Sequence, residues 1–245
     1  MNYRLLLQYD GTKLNGWQKQ GNTENTIQGK LEGILQRMYG EFIEVHGSGR
    51  TDAGVHALGQ VANFHAPELF SVSEIQTTLN AYLSKDIRIL SVEEAEERFH
   101  ARLTAREKTY EYRIDNGRVA NVFSRKYTMR EEEPLDLEAM KQAAEYLLGT
   151  HDFKSFCANK KMKKSTVRTI TSIVIEEKEG IVFLRYTGNG FLYNMVRILT
   201  GTLIEIGRGK RVPEEMEMIL KALDRGAAGF TAPAQGLFLV NVKYA

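Results

Sequence analysis

His46-Gly47-Ser48-Gly49-Arg50-Thr51-Asp52-Ala53-Gly54-Val55-His56-Ala57-Leu58-Gly59-Gln60-Val61-Ala62-Asn63-Phe64 reads as a glycine-rich loop between two strand-like runs. Residues 42–46 and 58–64 have the composition of strands, and Gly47, Gly49 and Gly54 let the backbone turn sharply and approach a ligand closely. Arg50 brings a fixed cation into this turn, and Asp52 brings an acceptor or nucleophile. Loops held by rigid strands are favoured places for chemistry. A dinucleotide fingerprint does not fit, because Asp52 fills the third glycine position of Gly-x-Gly-x-x-Gly and its charge would face a pyrophosphate. A phosphate-cradling loop does not fit either, since that motif ends in Gly-Lys-Ser/Thr and this one in Asp52-Ala53-Gly54. Taken alone, Arg50-Thr51-Asp52 is as compatible with a capped turn and a surface ion pair as with catalysis.

Upstream of the loop, residues 3–9 predict a strand, and Ile27, Leu31, Ile34, Leu35 and Met38 recur at helical spacing until Gly40 can close the helix. Downstream, Ser73 with Gln76 resembles a capping box before another helix, and residues 87–92 predict a strand. The pattern restarts after residue 105 with a strand at 108–114 and a helix at 136–148 ended by Gly149. Strands at 169–176 and 181–186, a long helix at 191–206, a shorter one after Pro213 and a last strand at 237–243 follow. This mixture argues for an α+β fold, read as an N-terminal half at 1–105 and a C-terminal half at 106–245.

At 245 residues, the chain suits one large domain or two intimate halves. Its 42% hydrophobic and 26% charged residues are ordinary globular usage, and no apolar run approaches the ~18 residues that would span a bilayer. Leu5-Leu6-Leu7 is too short for a signal peptide, and the lone Cys157 cannot form an internal disulfide, so a soluble cytoplasmic protein is expected. Lys and Arg total 33 against 31 Asp and Glu, so net charge does not announce a nucleic-acid partner. Distribution says more: Lys160, Lys161, Lys163, Lys164 and Arg168 stand together without an acidic neighbour. Such a run can grip phosphates or simply be a solvated loop. His46, His56, His65, His100 and His151 lack paired zinc-ligand spacing, so no metal and no cofactor is expected.

The longer string decides among the readings of the loop. Gly49-Arg50-Thr51-Asp52-Ala53-Gly54-Val55-His56-Ala57-Leu58-Gly59-Gln60-Val61 resembles the signature of the TruA-type tRNA pseudouridine synthases, G-R-T-D-x-G-V-H-A-x-x-Q-V. The likeness continues in order through Tyr9-Asp10-Gly11-Thr12 with Gly16-Trp17-Gln18, Phe99-His100-Ala101-Arg102 and Lys108-Thr109-Tyr110-Glu111-Tyr112. It goes on through His151-Asp152-Phe153 with Ser155-Phe156, Gly190-Phe191-Leu192-Tyr193-Asn194-Met195-Val196-Arg197, and Ala232-Pro233 with Gly236-Leu237. Leu14-Asn15 and Ile198-Leu199-Thr200 depart from the family pattern, which bears on fine RNA contacts and hence on target breadth.

The resemblance implies two α+β halves with abutting, mainly antiparallel sheets, flanking helices and an active cleft between them. It also implies isomerisation of uridine to pseudouridine in the anticodon stem-loop of transfer RNA, at positions 38, 39 and 40, by a homodimer. Asp52 takes the place of the family's catalytic carboxylate, with Arg50, Arg197 and Tyr110 in support. A carboxylate in a base pocket is penalised by desolvation, which a guanidinium offsets, and Arg197 is the partner implied. A phenol at Tyr110 can stack on uracil and take part in proton transfer. Leu237 and Phe191 would form apolar pocket walls, and His56 could bind RNA, although a single histidine is as often a hydrogen-bonded structural residue. Tyr112 is expected to point away from the site and pack in the core, while Asp10 and Trp17 shape the cleft. Two other functions compete: a noncatalytic module binding structured RNA, in which Asp52 is structural, and a glycoside-cleaving hydrolase. The hydrolase needs a second acidic residue to protonate its leaving group, and no motif supplies one.

Overall fold

The computed structural model describes residues 1–21, 23–159 and 162–244. In chain order its elements are β1 (Asn2–Tyr9), α1 (Ile27–Tyr39), β2 (Val45–Gly47), β3 (His56–His65), α2 (Val72–Tyr82), β4 (Ile87–Ala95), β5 (Glu107–Asp115) and β6 (Met129–Arg130). They continue as α3 (Leu137–Glu145), β7 (Gly149–Asp152), β8 (Val167–Lys178), β9 (Ile181–Gly188), α4 (Met195–Gly207), α5 (Glu215–Ala222) and β10 (Leu237–Lys243). The chain forms two compact units, Met1–Arg106 with Phe238–Ala245, and Glu107–Leu237. The architecture is α+β, with mainly antiparallel strands and flanking helices.

In the first unit the strands lie in the order β4-β1-β3-β10, with β2 also paired to β3. β1 alternates as a strand with one dry face must: Tyr3, Leu5, Leu7 and Tyr9 are buried, while Arg4 and Leu6 are half-buried and Gln8 is exposed. Its register places Tyr3 opposite Phe64, Leu5 opposite Ala62 and Leu7 opposite Gln60, so a glutamine from β3 stands on the dry face beside leucines. Helix α1 buries Ile27, Leu31, Ile34 and Leu35; Thr26 caps it by accepting from Gly29 N, and Gly40 ends it at φ 77°. The capping box of α2 is Ser71 with Glu74, not Ser73 with Gln76. The Gln76 amide instead donates to Ile89 O and Leu90 O and fastens the helix to β4. Strand β2 is shorter than residues 42–46 suggested, because Phe42 lies outside it, 55% exposed.

In the second unit β5-β9-β8-β7 are antiparallel, and β6 runs parallel to β5. α4 begins four residues later than hydrophobic spacing implied, because Asn194 at φ 60° breaks the chain just before Met195. α3 stops at Glu145 with Tyr146 as its C-cap, so Gly149, read as the helix stop, is instead the first residue of β7, at φ 94° and opposite Ile170. Among the described residues, no helix is long and apolar enough to cross a membrane.

Candidate active site

The Arg50–Asp52 loop leaves β2 and enters β3 within the first unit, and a buried set of polar side chains holds it. Gln60 is the hub. Its Oε1 accepts from Ser48 Oγ at 2.6 Å, and its Nε2 donates to Gly49 O at 3.2 Å and to the Tyr9 hydroxyl at 3.4 Å. Tyr9 Oη lies 2.8 Å from Thr51 Oγ1. Burial raises the phenol pKa of Tyr9 to about 12, with hydrogen bonds from Thr51 and Gln60 opposing the shift, so the ring enters the network protonated. The fixed points therefore fall on Ser48, Gly49 and Thr51, on both sides of Arg50 and directly before Asp52.

A second brace comes from the segment after β1. Trp17 N donates to Thr51 O at 3.0 Å and Gly54 N to Leu14 O at 3.3 Å, while Val55 N closes the loop on Asp52 O at 3.1 Å. The approach needs glycine. A Cβ on Gly16, whose φ is +84°, would lie 2.6 Å from Thr51 O, and one on Gly47 would lie 2.3 Å from the Trp17 ring. Trp17 is buried and so shapes the loop from below. Arg50 is exposed and Asp52 half-buried, so this rigid turn carries a cation and a carboxylate that solvent reaches.

His56 is 1% exposed and stacks on Phe238 at 4.6 Å. Its Nδ1 accepts from Gly11 N at 3.0 Å; Asp10 Oδ1, 3.2 Å from the same nitrogen, itself accepts from Thr12 N. His56 Nδ1 thus lies within reach of both the Gly11 amide and the Asp10 carboxylate. Those bonds tie the Asp10–Thr12 segment to β3.

The second unit gathers four other residues that the sequence singled out. Tyr110, nearly buried on β5, meets Phe191 edge to face at 5.2 Å. Arg197, on the first turn of α4, donates through Nε to Ala232 O at 2.7 Å and through Nη1 to Asn194 Oδ1 at 3.1 Å. Ala232 N returns a bond to Arg197 O at 3.0 Å, so segment and helix hold each other. Leu237 is buried just after Gly236, where a Cβ would lie 2.7 Å from the Tyr112 ring. Tyr112 is buried, but it does not point away from Tyr110: strand side chains two apart share a face. It sits deeper on that face, its hydroxyl on Pro233 O at 2.7 Å, and its phenol pKa is pushed up by burial against the opposing influence of Arg197.

Of the basic run, Lys163 and Lys164 are exposed. Arg168 is partly engaged by its own loop, donating to Ser165 O at 2.9 Å and Val167 O at 2.6 Å. Lys160 and Lys161 lie outside the described residues. Among the described residues no group of three or more His, Cys, Asp or Glu is arranged to hold a metal ion. Reading the sequence by residue type missed the Tyr9, Ser48, Thr51 and Gln60 network. Its linear trace was that Tyr9, Thr51 and Gln60 sit within two matched blocks.

The family model described as tRNA pseudouridine synthase matches residues 6–103 and 143–245. The chain belongs to that family. Its relatives include "tRNA pseudouridine synthase A" of Bacillus sp. (strain KSM-64), 49% identical over 243 residues, covering 99% of each chain. The protein of the same name from Brevibacillus brevis is 48% identical over 241 residues, covering 98% of each. "tRNA pseudouridine synthase A 1" of Clostridium tetani is 46% identical over 243 residues, covering 99% of each. Among pseudouridine synthases of this kind the braced Asp52 loop stands inside the matched region, as do Tyr9, Gln60 and Arg197.

Proposed function

We propose that the protein isomerises uridine to pseudouridine in transfer RNA, with Asp52 as the catalytic carboxylate. The reading rests chiefly on family membership that spans both matched segments, and the solvent-reached carboxylate on its braced turn is consistent with it. The reaction breaks the bond from uracil N1 to ribose C1′, turns the base and forms a bond from C5 to C1′. C5 loses a proton and N1 gains one, so no electrons are exchanged. Asp52 serves by attacking the sugar or the ring, or by assisting proton removal from the ribose. The target must leave its stack first, at a cost of a few kcal/mol.

Arg50, a long planar cation on the rim of the turn, suits the task of holding the displaced nucleotide. Tyr110 is assigned to stacking on uracil and to proton transfer, Phe191 and Leu237 to the apolar wall, and Arg197 to keeping the carboxylate ionised. His56, buried and bonded to Gly11, serves better as a brace than as an RNA contact. Lys163, Lys164 and Arg168 are assigned to phosphates, with Lys160 and Lys161 extending the run in sequence. The finer reading places the targets at uridines 38, 39 and 40 of the anticodon stem-loop, modified in the cytoplasm by a homodimer.

The test incubates the purified protein with unmodified transfer RNA and maps pseudouridine by mass spectrometry. Wild-type protein is expected to convert uridines of the anticodon stem-loop, and Asp52→Ala to convert none while binding the RNA within about threefold. Absence of conversion by the wild type would favour the noncatalytic RNA-binding reading. Replacing Lys163 and Lys164 by Ala should lower the salt dependence of binding, by about 0.7–0.9 in log–log slope for each phosphate no longer neutralised.

A further inference from the structure

Tyr9, Thr51 and Gln60 form a continuous chain of buried hydrogen bonds. Gln60 Oε1 is occupied as an acceptor by Ser48 Oγ, so its amide nitrogen faces Gly49 O and the Tyr9 oxygen. That oxygen accepts from Gln60 Nε2 and lies 2.8 Å from Thr51 Oγ1, in a bond in which either hydroxyl can donate. All four side chains are buried, in surroundings where a polar group without a partner is costly and a satisfied network is stiff. None of them is assigned to touching RNA.

We infer that Tyr9 and Gln60 are positioning residues for the reaction: their bonds to Gly49 and Thr51 fix the backbone on both sides of Arg50 and so aim the Asp52 carboxylate. This rests on the reading of Asp52 as the catalytic group. The geometry favours a catalytic purpose over plain stability, because bonds from the network reach Ser48, Gly49 and Thr51, the residues that flank Arg50 and lead into Asp52, while one further bond, from Val61 N to Gln60 Oε1, stays on the strand. Thr51 is also gripped from the opposite side, through Trp17 N on its carbonyl, so side chain and main chain of one residue are both held. Misplacing a reacting group by about 1 Å costs up to about a hundredfold in rate, whereas the affinity for a large RNA depends on many interactions elsewhere.

The experiment measures turnover at saturating transfer RNA, and separately RNA affinity, for Tyr9→Phe, Thr51→Val, Thr51→Ser and the Tyr9→Phe/Thr51→Val pair. Tyr9→Phe and Thr51→Val are each expected to lower kcat about tenfold to a hundredfold with affinity within about twofold. The pair is expected to lose no more than the worse single, because both remove one bond. Thr51→Ser, which keeps the oxygen, is expected to recover most of what Thr51→Val loses. If Tyr9→Phe does not fold, Thr51→Val and Thr51→Ser decide the matter from the other end of the bond. Wild-type kcat in Thr51→Val, equal losses in Thr51→Ser and Thr51→Val, or fully additive losses in the pair would each overturn the inference. An active Asp52→Ala protein would instead overturn the reading beneath it, leaving the two failures distinguishable.

Discussion

Gly16 and Gly201 both stand against backbone carbonyls, and size decides what each can tolerate. At Gly201 alanine has the better helix propensity, by about 0.5–1 kcal/mol, yet its Cβ would sit 1.9 Å from Phe230 O inside a packed unit. Overpacking of this kind costs about 1–3 kcal/mol, so Gly201→Ala is expected to lower the midpoint of urea unfolding despite its helix preference. At Gly16 the strain of a positive φ adds to a 2.6 Å approach on Thr51 O, so Gly16→Ala should lose both stability and turnover. Equal midpoints for wild type and Gly201→Ala would remove the steric account of that glycine. The phenols obey a different rule, since burial is the largest influence raising the pKa of each of Tyr9, Tyr39, Tyr112, Tyr186 and Tyr244, with Tyr9 and Tyr39 reaching about 12.

At the scale of elements, helix ends are fastened by identifiable side chains. Thr26 Oγ1 accepts from Gly29 N at 3.2 Å, and Ser71 and Glu74 bond reciprocally at the start of α2. Removing either cap by alanine is expected to cost about 1 kcal/mol, read from chemical denaturation. The consequences should differ. α1 leads from the Trp17 segment, whose carbonyl accepts from Gln28 N at 3.0 Å, so Thr26→Ala loosens the brace on Thr51 and should reduce kcat as well. Ser71→Ala disturbs a helix that packs on β4 and should leave kcat unchanged; a parallel loss in both variants would argue that activity simply tracks stability.

For the whole molecule, the last strand matters most. β10 follows the second unit in sequence, yet Phe238 and Leu239 pair in parallel with His56 and Ala57 of the first. Arg106 N donates to Lys243 O at 2.9 Å, and the Tyr244 hydroxyl donates to Ala101 O at 2.7 Å. Deleting residues 238–245 is therefore expected to abolish cooperative unfolding of the first unit, measured by amide exchange; native-like protection of β3 in the truncated chain would contradict this. The buried phenols set a pH limit on the whole fold. Below pH ~10 folded and unfolded chains both keep them protonated; above it only the unfolded chain releases protons freely, so stability falls as pH rises toward the folded values. Urea unfolding at pH 9 and pH 11 should show that fall, less steep in Tyr9→Phe.

The linear sequence determined the element types and the loop worth watching. Alternation in β1, 3.6-residue spacing in α1 and the glycines around Arg50 and Asp52 are local properties, written in neighbouring residues. Where sequence reading faltered, the choice was between two neighbouring serines at the Ser71 cap and turned on the φ of Asn194 at the start of α4, whereas strand β7 hung on a partner far along the chain, Ile170 opposite Gly149. Only the tertiary structure decided that Gln60 and Tyr9 hold Thr51 and that Ala232 holds Arg197, because these bonds join groups 51, 42 and 35 residues apart. Periodicity carries no trace of such pairings; they come into being when the sheet brings its strands side by side.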